Sequence, residues 1–283
     1  MNHFLEIERD ERNFSSSKVI VIPVPYEGTT SYGKGTKNGP SAILKASQIV
    51  EDYDIELGFE PYKKVGGVHT ASPVRFGKDP HKSIYSAVKK VISADKFPLM
   101  LGGEHSISYG AVKAAKENYP DLSVLQFDAH ADLRDSYHGN KHSHACIMRR
   151  IRSMCPAVQV GIRSQDKEET DYIKEYGLQK KIFYAHEYND GRIPSIVKGL
   201  TDNVYITVDV DGFDPSVIPA TGTPEPGGLS WYQVLSILKA VFAERNVVGA
   251  DIVELAPRKE MHYADYTAAK LAYKMIGYLS LKF

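Results

Sequence analysis

The strongest constraint on this chain is the way short β-branched runs alternate with helical patterns from one end to the other. The candidate strands are KVIVIPV (18–24), KVGGV (64–68), FPLMLG (97–102), LSVLQFD (122–128), AVQVGI (157–162), KIFYA (181–185), NVYITVD (203–209) and VVGADIVE (247–254). Between them PSAILKASQIVEDY (40–53), HKSIYSAVKKVISA (81–94), SYGAVKAAKENY (108–119) and SWYQVLSILKAVFAE (230–244) carry apolar residues at helical spacing. Strands that alternate with helices pair in parallel, because each helix returns the chain to the end of the sheet where the next strand begins. The expected fold class is therefore α/β, with about eight strands in a mostly parallel sheet inside one three-layer α/β/α domain. No Ser/Gly-rich linker, low-complexity tract or repeat interrupts the pattern, so residues 1–283 are expected to form a single domain.

Charge narrows the function. The 35 Lys and Arg are balanced by 35 Asp and Glu. A protein that binds nucleic acid through phosphates needs a basic surplus, and a disordered chain carries a large net charge, so neither class fits. No apolar run approaches the roughly 18 residues that span a bilayer. The N-terminal MNHFLEIERDERNFSSSK is too acidic and polar for a secretory signal or transit peptide. Cys146 and Cys155 offer neither a disulfide framework nor zinc spacing and read as ordinary thiols, so the expected location is the cytoplasm.

In an open parallel sheet the ligand site lies beyond the carboxyl ends of the strands. Four candidate strands end in chemistry-bearing residues: LMLGGEHS, LQFDAHAD, ITVDVDGFDPS and ADIVELAP. In the second, Asp128, His130 and Asp132 stand at i, i+2 and i+4, which extended backbone would project to one side as a row able to grip metal. Burying two carboxylates and an imidazole together without a cation is costly. Asp209 and Asp211 repeat the i, i+2 spacing, but Gly212 and Phe213 follow where an EF-hand loop requires other residues. Alone, that pair reads equally well as an exposed acidic turn. In Gly102-Gly103-Glu104-His105-Ser106 the glycines permit a tight turn, Ser106 can cap the next helix, and His105 is presented at the sheet edge. His105 gains weight as a ligand because the same edge supplies four Asp and a second His.

Together these residues carry a resemblance. The chain is similar to the ureohydrolases of the arginase/agmatinase family, and more so to the agmatinase branch, from VPYEGTTSYGKGTKNGPSAI to DIVELAP, with GGEHS, FDAHAD and VDVDGFDPS in the family order. The resemblance implies a binuclear manganese hydrolase with two Mn2+ per subunit, assembled as a trimer or hexamer, that releases urea from a small cationic guanidino substrate. Carried over by motif, the metal ligands would be His105, Asp128, His130, Asp132, Asp209 and Asp211. An oxygen-rich donor set of this kind suits manganese. Two such ions about 3.5–4 Å apart can share a bridging water and bring its pKa toward neutrality, which supplies the hydroxide nucleophile. By the same resemblance Glu254 orients the guanidinium and Asp132 also orients the nucleophile. Spacing alone leaves His138, His142 and His144 open as the proton donor; the family pattern selects His144, although the Gly usual after it is Ala145 here.

After Asp132 the segment Leu133-Arg134-Asp135-Ser136-Tyr137 lacks the Asn-and-hydroxyl pattern with which arginases hold the amino-acid head. Agmatine, giving putrescine and urea in polyamine biosynthesis, is thus the expected substrate. Aminopropylagmatine, guanidinobutyrate and arginine rank behind it. A metal-dependent deacylase of related fold is disfavoured by the paired Asp rows, and a catalytically silent homologue by retention of the whole motif set. Gly28-Thr29-Thr30-Ser31-Tyr32-Gly33-Lys34 nearly reads as a phosphate-binding loop. However, Gly35 stands where Ser or Thr is required and the next helix begins only near Pro40, which disfavours nucleotide binding; the family resemblance instead implies a loop near the active-site mouth. Arg163 reads as a pocket or subunit-contact residue, Arg134 as a solvated or rim residue, and Thr223 as part of a substrate-side loop or a plain turn.

Overall fold

The apolar runs become parallel strands in the computed structural model, which describes residues 2–283. They are β1 (Val19–Val24), β2 (Val68–Thr70), β3 (Phe97–Gly102), β4 (Ser123–Phe127), β5 (Ala157–Ile162), β6 (Ile182–Tyr184), β7 (Asn203–Asp209) and β8 (Asn246–Val253). All pair in parallel, in the order β2-β1-β3-β8-β7-β4-β5-β6. One expected strand moves. KVGGV is mostly the approach to β2, which starts at Val68. Gly66 and Gly67 have φ of 68° and 95°, and a Cβ on Gly67 would lie 1.9 Å from the Glu11 carbonyl oxygen, so these glycines turn the chain into the strand.

The helices are α1 (Gly39–Ser47), α2 (Pro61–Lys64), α3 (Pro80–Ile92), α4 (Ser108–Asn118), α5 (Ile147–Arg152), α6 (Lys167–Glu175), α7 (Ile193–Lys198), α8 (Trp231–Glu244) and α9 (His262–Ser280). Helix α1 ends before the apolar pattern does. The Ser47 hydroxyl folds back onto the Leu44 carbonyl and accepts the Leu5 N–H, while Gln48, Ile49 and Val50 close tighter turns. Helix α8 begins where Ser230 and Gln233 cap each other reciprocally, at 3.3 and 2.8 Å.

Successive strand residues point to opposite faces, and both faces are apolar. Val19 and Val21 of β1 join one core with Leu125, Phe127, Ile206 and Val208, and with residues of α1, α7, α8 and α9. Ile20, Ile22 and Val24 join the other, against α3, α4 and α5. The result is the expected α/β/α arrangement. Among the described residues no helix is long and apolar enough to cross a membrane.

The strand order does the positioning. β3, β8, β7 and β4 are neighbours at the middle of the sheet, and they are the four strands whose carboxyl ends carry the chemical motifs. At this switch point the crossovers depart in opposite directions and leave a crevice above the sheet. Ile206, fully buried in β7, packs into the core on one face of that sheet. Ile206→Ala is expected to lower the unfolding free energy by about 2–5 kcal/mol, measured by chemical denaturation.

Candidate metal centre

Asp128 lies just past the end of β4, fully buried. Its two oxygens face two different imidazoles: Oδ2 is 3.0 Å from His105 Nδ1, and Oδ1 is 3.6 Å from His130 Nδ1. Around His105 Nδ1 stand Asp132 Oδ2 and Asp209 Oδ2, each at 3.3 Å. Around His130 Nδ1 stands Asp211 Oδ2 at 3.0 Å. Two donor groups able to hold an ion therefore exist, His105–Asp128–Asp132 and Asp128–His130–Asp211, joined at Asp128.

This arrangement corrects the single extended row expected from the spacing. The strand stops at Phe127, His130 makes a bridge to Ser164, and Asp132 turns into left-handed backbone with φ of 53°. The chain bends at each step, so His130 and Asp132 serve different groups. The Asp132 carbonyl accepts the N–H groups of Met148 and Arg149 at 3.0 and 3.2 Å, which holds the strained residue in place at the start of α5. Asp211 is no exposed acidic turn. It is buried, its N–H donates to Asp209 Oδ1 at 2.9 Å, and its Oδ1 accepts the Ala129 N–H at 3.0 Å. A Cβ on Gly212 would sit 2.8 Å from the Asp128 nitrogen, so the two acid-bearing loops touch and glycine is required between them.

The donors test well as a cation site. His105 Nε2 lies 2.9 Å from Thr207 Oγ1, and the Thr207 hydroxyl gives its proton to Asp251 Oδ1 at 2.6 Å. With that proton committed, Nε2 must be the donor, so in the neutral ring that a metal would need Nδ1 carries a lone pair; without an ion, burial opposes a charge there but the three facing carboxylates outweigh it and raise the imidazole well above its ordinary pKa. That buried nitrogen has no hydrogen-bond partner, and it faces three carboxylates. Lone pairs aimed at one point from an imidazole and three acids repel one another unless a cation stands among them. Asp128 is braced in turn by Gln126 Nε2 at Oδ2 and by the His130 N–H at Oδ1, both 2.6 Å.

Protonation shows the same strain. Burial and the neighbouring Asp128 push the Asp132 carboxyl up to about 7. Burial and the charges of Asp211 and Asp128 raise Asp209 well above the usual carboxylate range. Burial opposes a charge on His130, but the Asp128 and Asp211 carboxylates outweigh it and lift the imidazole to about 12.

Glu254 closes the fourth side. It follows β8 with φ of 64°, its N–H donates to the Gly103 carbonyl at 2.8 Å, and its Oε1 accepts the His105 N–H at 2.6 Å. Burial and the nearby Glu104 charge raise its pKa well above the ordinary value. His144 shares the depression with Glu254, His105 and His130, and burial lowers its pKa. His138 and His142 are exposed, and the His142 ring packs on His81 and Tyr109. Two details of the GGEHS reading change. Ser106 does not cap α4; its hydroxyl donates to Glu104 at 2.5 Å from within a short turn, and α4 starts two residues later. Gly103 has no left-handed backbone, but a Cβ there would lie 1.9 Å from the Tyr26 carbonyl oxygen, so close approach sets the residue type.

Arg163 does not line the pocket. Its guanidinium donates to the carbonyls of Gly161, Asp211, Gly212, Phe213, Glu225 and Pro226, which staples the Asp211 turn to the 225–226 loop. Thr223 lines the depression, with its hydroxyl 3.4 Å from Asp211 Oδ2. Arg134 is a rim residue, paired with Asp166 at 2.9 Å and lying over the Tyr137 ring. Cys146 and Cys155 are buried thiols that burial pushes up to about 11, which suits the ordinary role expected of them.

The sequence reading missed Gln126, Thr207 and Asp251. Gln126 and Thr207 each precede an acid by two residues on the same strand face, and Asp251 is a charged residue inside the apolar run of β8. A polar residue in a strand buried on both sides is the signal that would have found them.

A family model describing the Arginase family matches residues 17–277. The chain belongs to the arginase family. It is 39% identical to an N(1)-aminopropylagmatine ureohydrolase of Synechocystis sp. over 97% of this chain and 93% of that protein. An agmatinase of Pyrococcus horikoshii is 36% identical over 96% of this chain and 95% of its own. Among solved structures, that of a putative agmatinase from Clostridium difficile superposes with a TM-score of 0.87 at 32% identity, covering 95% of this chain and 99% of that one. With the family shown and both donor groups in place, this ureohydrolase is a metal-dependent hydrolase.

Metal uptake by this ureohydrolase must displace the protons that the crowded acids hold. Below about pH 7 the raised carboxyl of Asp132 is protonated and competes with the ion. Metal content at a fixed, sub-saturating divalent-ion concentration is therefore expected to fall between pH 8 and pH 6, as measured by metal analysis after equilibrium dialysis. A flat profile would contradict this competition.

Proposed function

We propose that this enzyme releases urea from N(1)-aminopropylagmatine, with agmatine second, and that manganese is its metal. The donors support the metal, since four carboxylates and two imidazoles form an oxygen-rich set. His105, Asp128, Asp132 and Asp209 would hold one ion, and Asp128, His130 and Asp211 the other. When bound, the ions supply Lewis acidity and a water acidic enough to attack at neutral pH.

The observation that carries the substrate reading is the pairing of Arg134 with Asp166 at the mouth of the depression. An α-carboxylate would need free donors there, but this guanidinium is already held by an acid and residues 133–137 lack the Asn-and-hydroxyl pattern. A decarboxylated, polycationic tail instead meets the exposed ring of Tyr32 at the same mouth. Aromatic faces attract ammonium groups. The longer aminopropyl tail is preferred over agmatine, which led on sequence alone, because the relative named for it shares more identity with this chain than the agmatinase does.

The roles of the remaining residues follow from charge and position. Glu254 is buried beside the donor cluster, and a cationic guanidinium entering next to it would favour its ionised form and be oriented by it. Asp132 accepts a hydrogen bond from the attacking water. His144 gives a proton to the leaving amine, which otherwise departs as a poor leaving group.

Urea release measured side by side is expected to give the highest kcat/KM for aminopropylagmatine, then agmatine, then guanidinobutyrate and arginine. Arginine as the best substrate would overturn the reading. Glu254→Gln is expected to keep the metals, because the amide oxygen can still accept the His105 N–H, and to lose about 100-fold or more in kcat/KM. His144→Ala is expected to lose about 100-fold or more in kcat at neutral pH, with metal content unchanged.

A further inference from the structure

Glu104 stands between Gly103 and His105 and is completely buried, yet it faces away from the donor cluster toward the loop after β1. Oε2 accepts the N–H groups of Gly28 and Thr29 at 2.7 and 2.5 Å. Oε1 accepts the hydroxyls of Thr29 and Ser106 at 2.6 and 2.5 Å. The carboxylate is thus filled by four donors. It pins the segment that resembles a phosphate-binding loop in sequence.

The proton count at Thr29 determines what lies beyond it. A threonine hydroxyl has one proton, and here it goes to Glu104. The Thr29 oxygen can then only accept. It receives the His144 N–H at 3.1 Å and lies 3.2 Å from His144 Nδ1. An oxygen with no proton left to give can bond that nitrogen only if Nδ1 carries a hydrogen. The Ser143 hydroxyl is the other neighbour of Nδ1, at the longer distance of 3.3 Å.

We propose that Thr29, braced by Glu104, is a positioning residue for His144. It fixes the ring in the tautomer with hydrogen on Nδ1 and leaves Nε2 as the atom that exchanges a proton with the reacting groups. The inference rests on the reading of His144 as the proton donor. Nε2 first takes up a proton from the attacking water and then gives it to the leaving nitrogen, while the other proton stays on Nδ1, hydrogen-bonded to the Thr29 oxygen. The same contact anchors the His144 backbone, so ring orientation and tautomer are set by one side chain.

The test combines Thr29→Val, Thr29→Ser and His144→Ala with kcat, KM and metal content on the full-length, metal-loaded enzyme, using agmatine and aminopropylagmatine. Thr29→Val is expected to lower kcat about 10–100-fold, part of what general acid catalysis contributes, with KM and metal content little changed. Thr29→Ser keeps the hydroxyl and is expected to stay near wild type. In the His144→Ala background Thr29→Val is expected to cost almost nothing further, because the group it positions is gone. An undiminished loss in that background, with His144→Ala itself impaired, would overturn the role of Thr29 and leave that of His144 standing. Near-normal turnover by His144→Ala would instead remove the proton donor and the Thr29 inference with it. A readout independent of turnover is the nitrogen spectrum of histidine-labelled protein loaded with zinc at pH 8. The His144 signals, assigned by their loss in His144→Ala, are expected to show a protonated Nδ1 in the wild type and a shifted tautomer balance in Thr29→Val. Hydrogen on Nε2 in the wild type would overturn the proposal.

Discussion

Everything at the active end of this molecule depends on one carboxylate facing two imidazoles. Asp128 sets its two oxygens toward His105 and His130, and that sharing puts two cation sites side by side. The cost is severe crowding: the acids around it repel one another, and Asp132 and Asp209 take up protons far too readily for ordinary aspartates. The surrounding structure resists this. Asp251 and Thr207 fix one imidazole, Gln126 fixes the shared acid, and Arg163 ties the Asp211 turn to its neighbour through backbone carbonyls alone. Without a cation these braces hold like charges together. With one, they hold a preorganised binding site.

Much of this was legible in the sequence, for physical reasons that can be named. Strands buried on both faces write themselves as apolar runs, and the chemistry at their carboxyl ends stands out against that background. Every strand but β2 therefore lies within a residue of its expected position. β2 did not, because glycines that turn the chain look from sequence like the interior of a short strand. The acids and histidines of the site were visible as a set, but their partition between two donor groups was not. Spacing presumes an extended backbone, and the strand ends at Phe127 before any of the three donors that follow it. The braces left a fainter signal. Gln126 and Thr207 stand as polar residues in strands buried on both faces, but the sequence does not say which groups they hold.

Of the five non-glycine residues with left-handed φ among those described, two fall where the site is built. Asp132 and Glu254 both adopt left-handed φ, a conformation that costs a non-glycine residue on the order of 1 kcal/mol or more and persists only when its surroundings over-determine it. Both are held by main-chain hydrogen bonds to neighbouring elements. The rigidity of the sheet's carboxyl edge is thus part of how the donors keep their aim, since acids on a flexible loop would relax apart.

The strand order also has a consequence for how the protein comes into being. β7 and β8, late in the chain, occupy the middle of the sheet between β3 and β4. A nascent chain that has produced only its first six strands has two separate half-sheets, each with an unsatisfied edge, and has no place for a metal. His105, which follows β3, and the acids that follow β4 are brought together across the last two strands. The central pairings are thus long-range ones, the kind that forms slowly, and strand edges left bare until they form are the kind that pair with other chains.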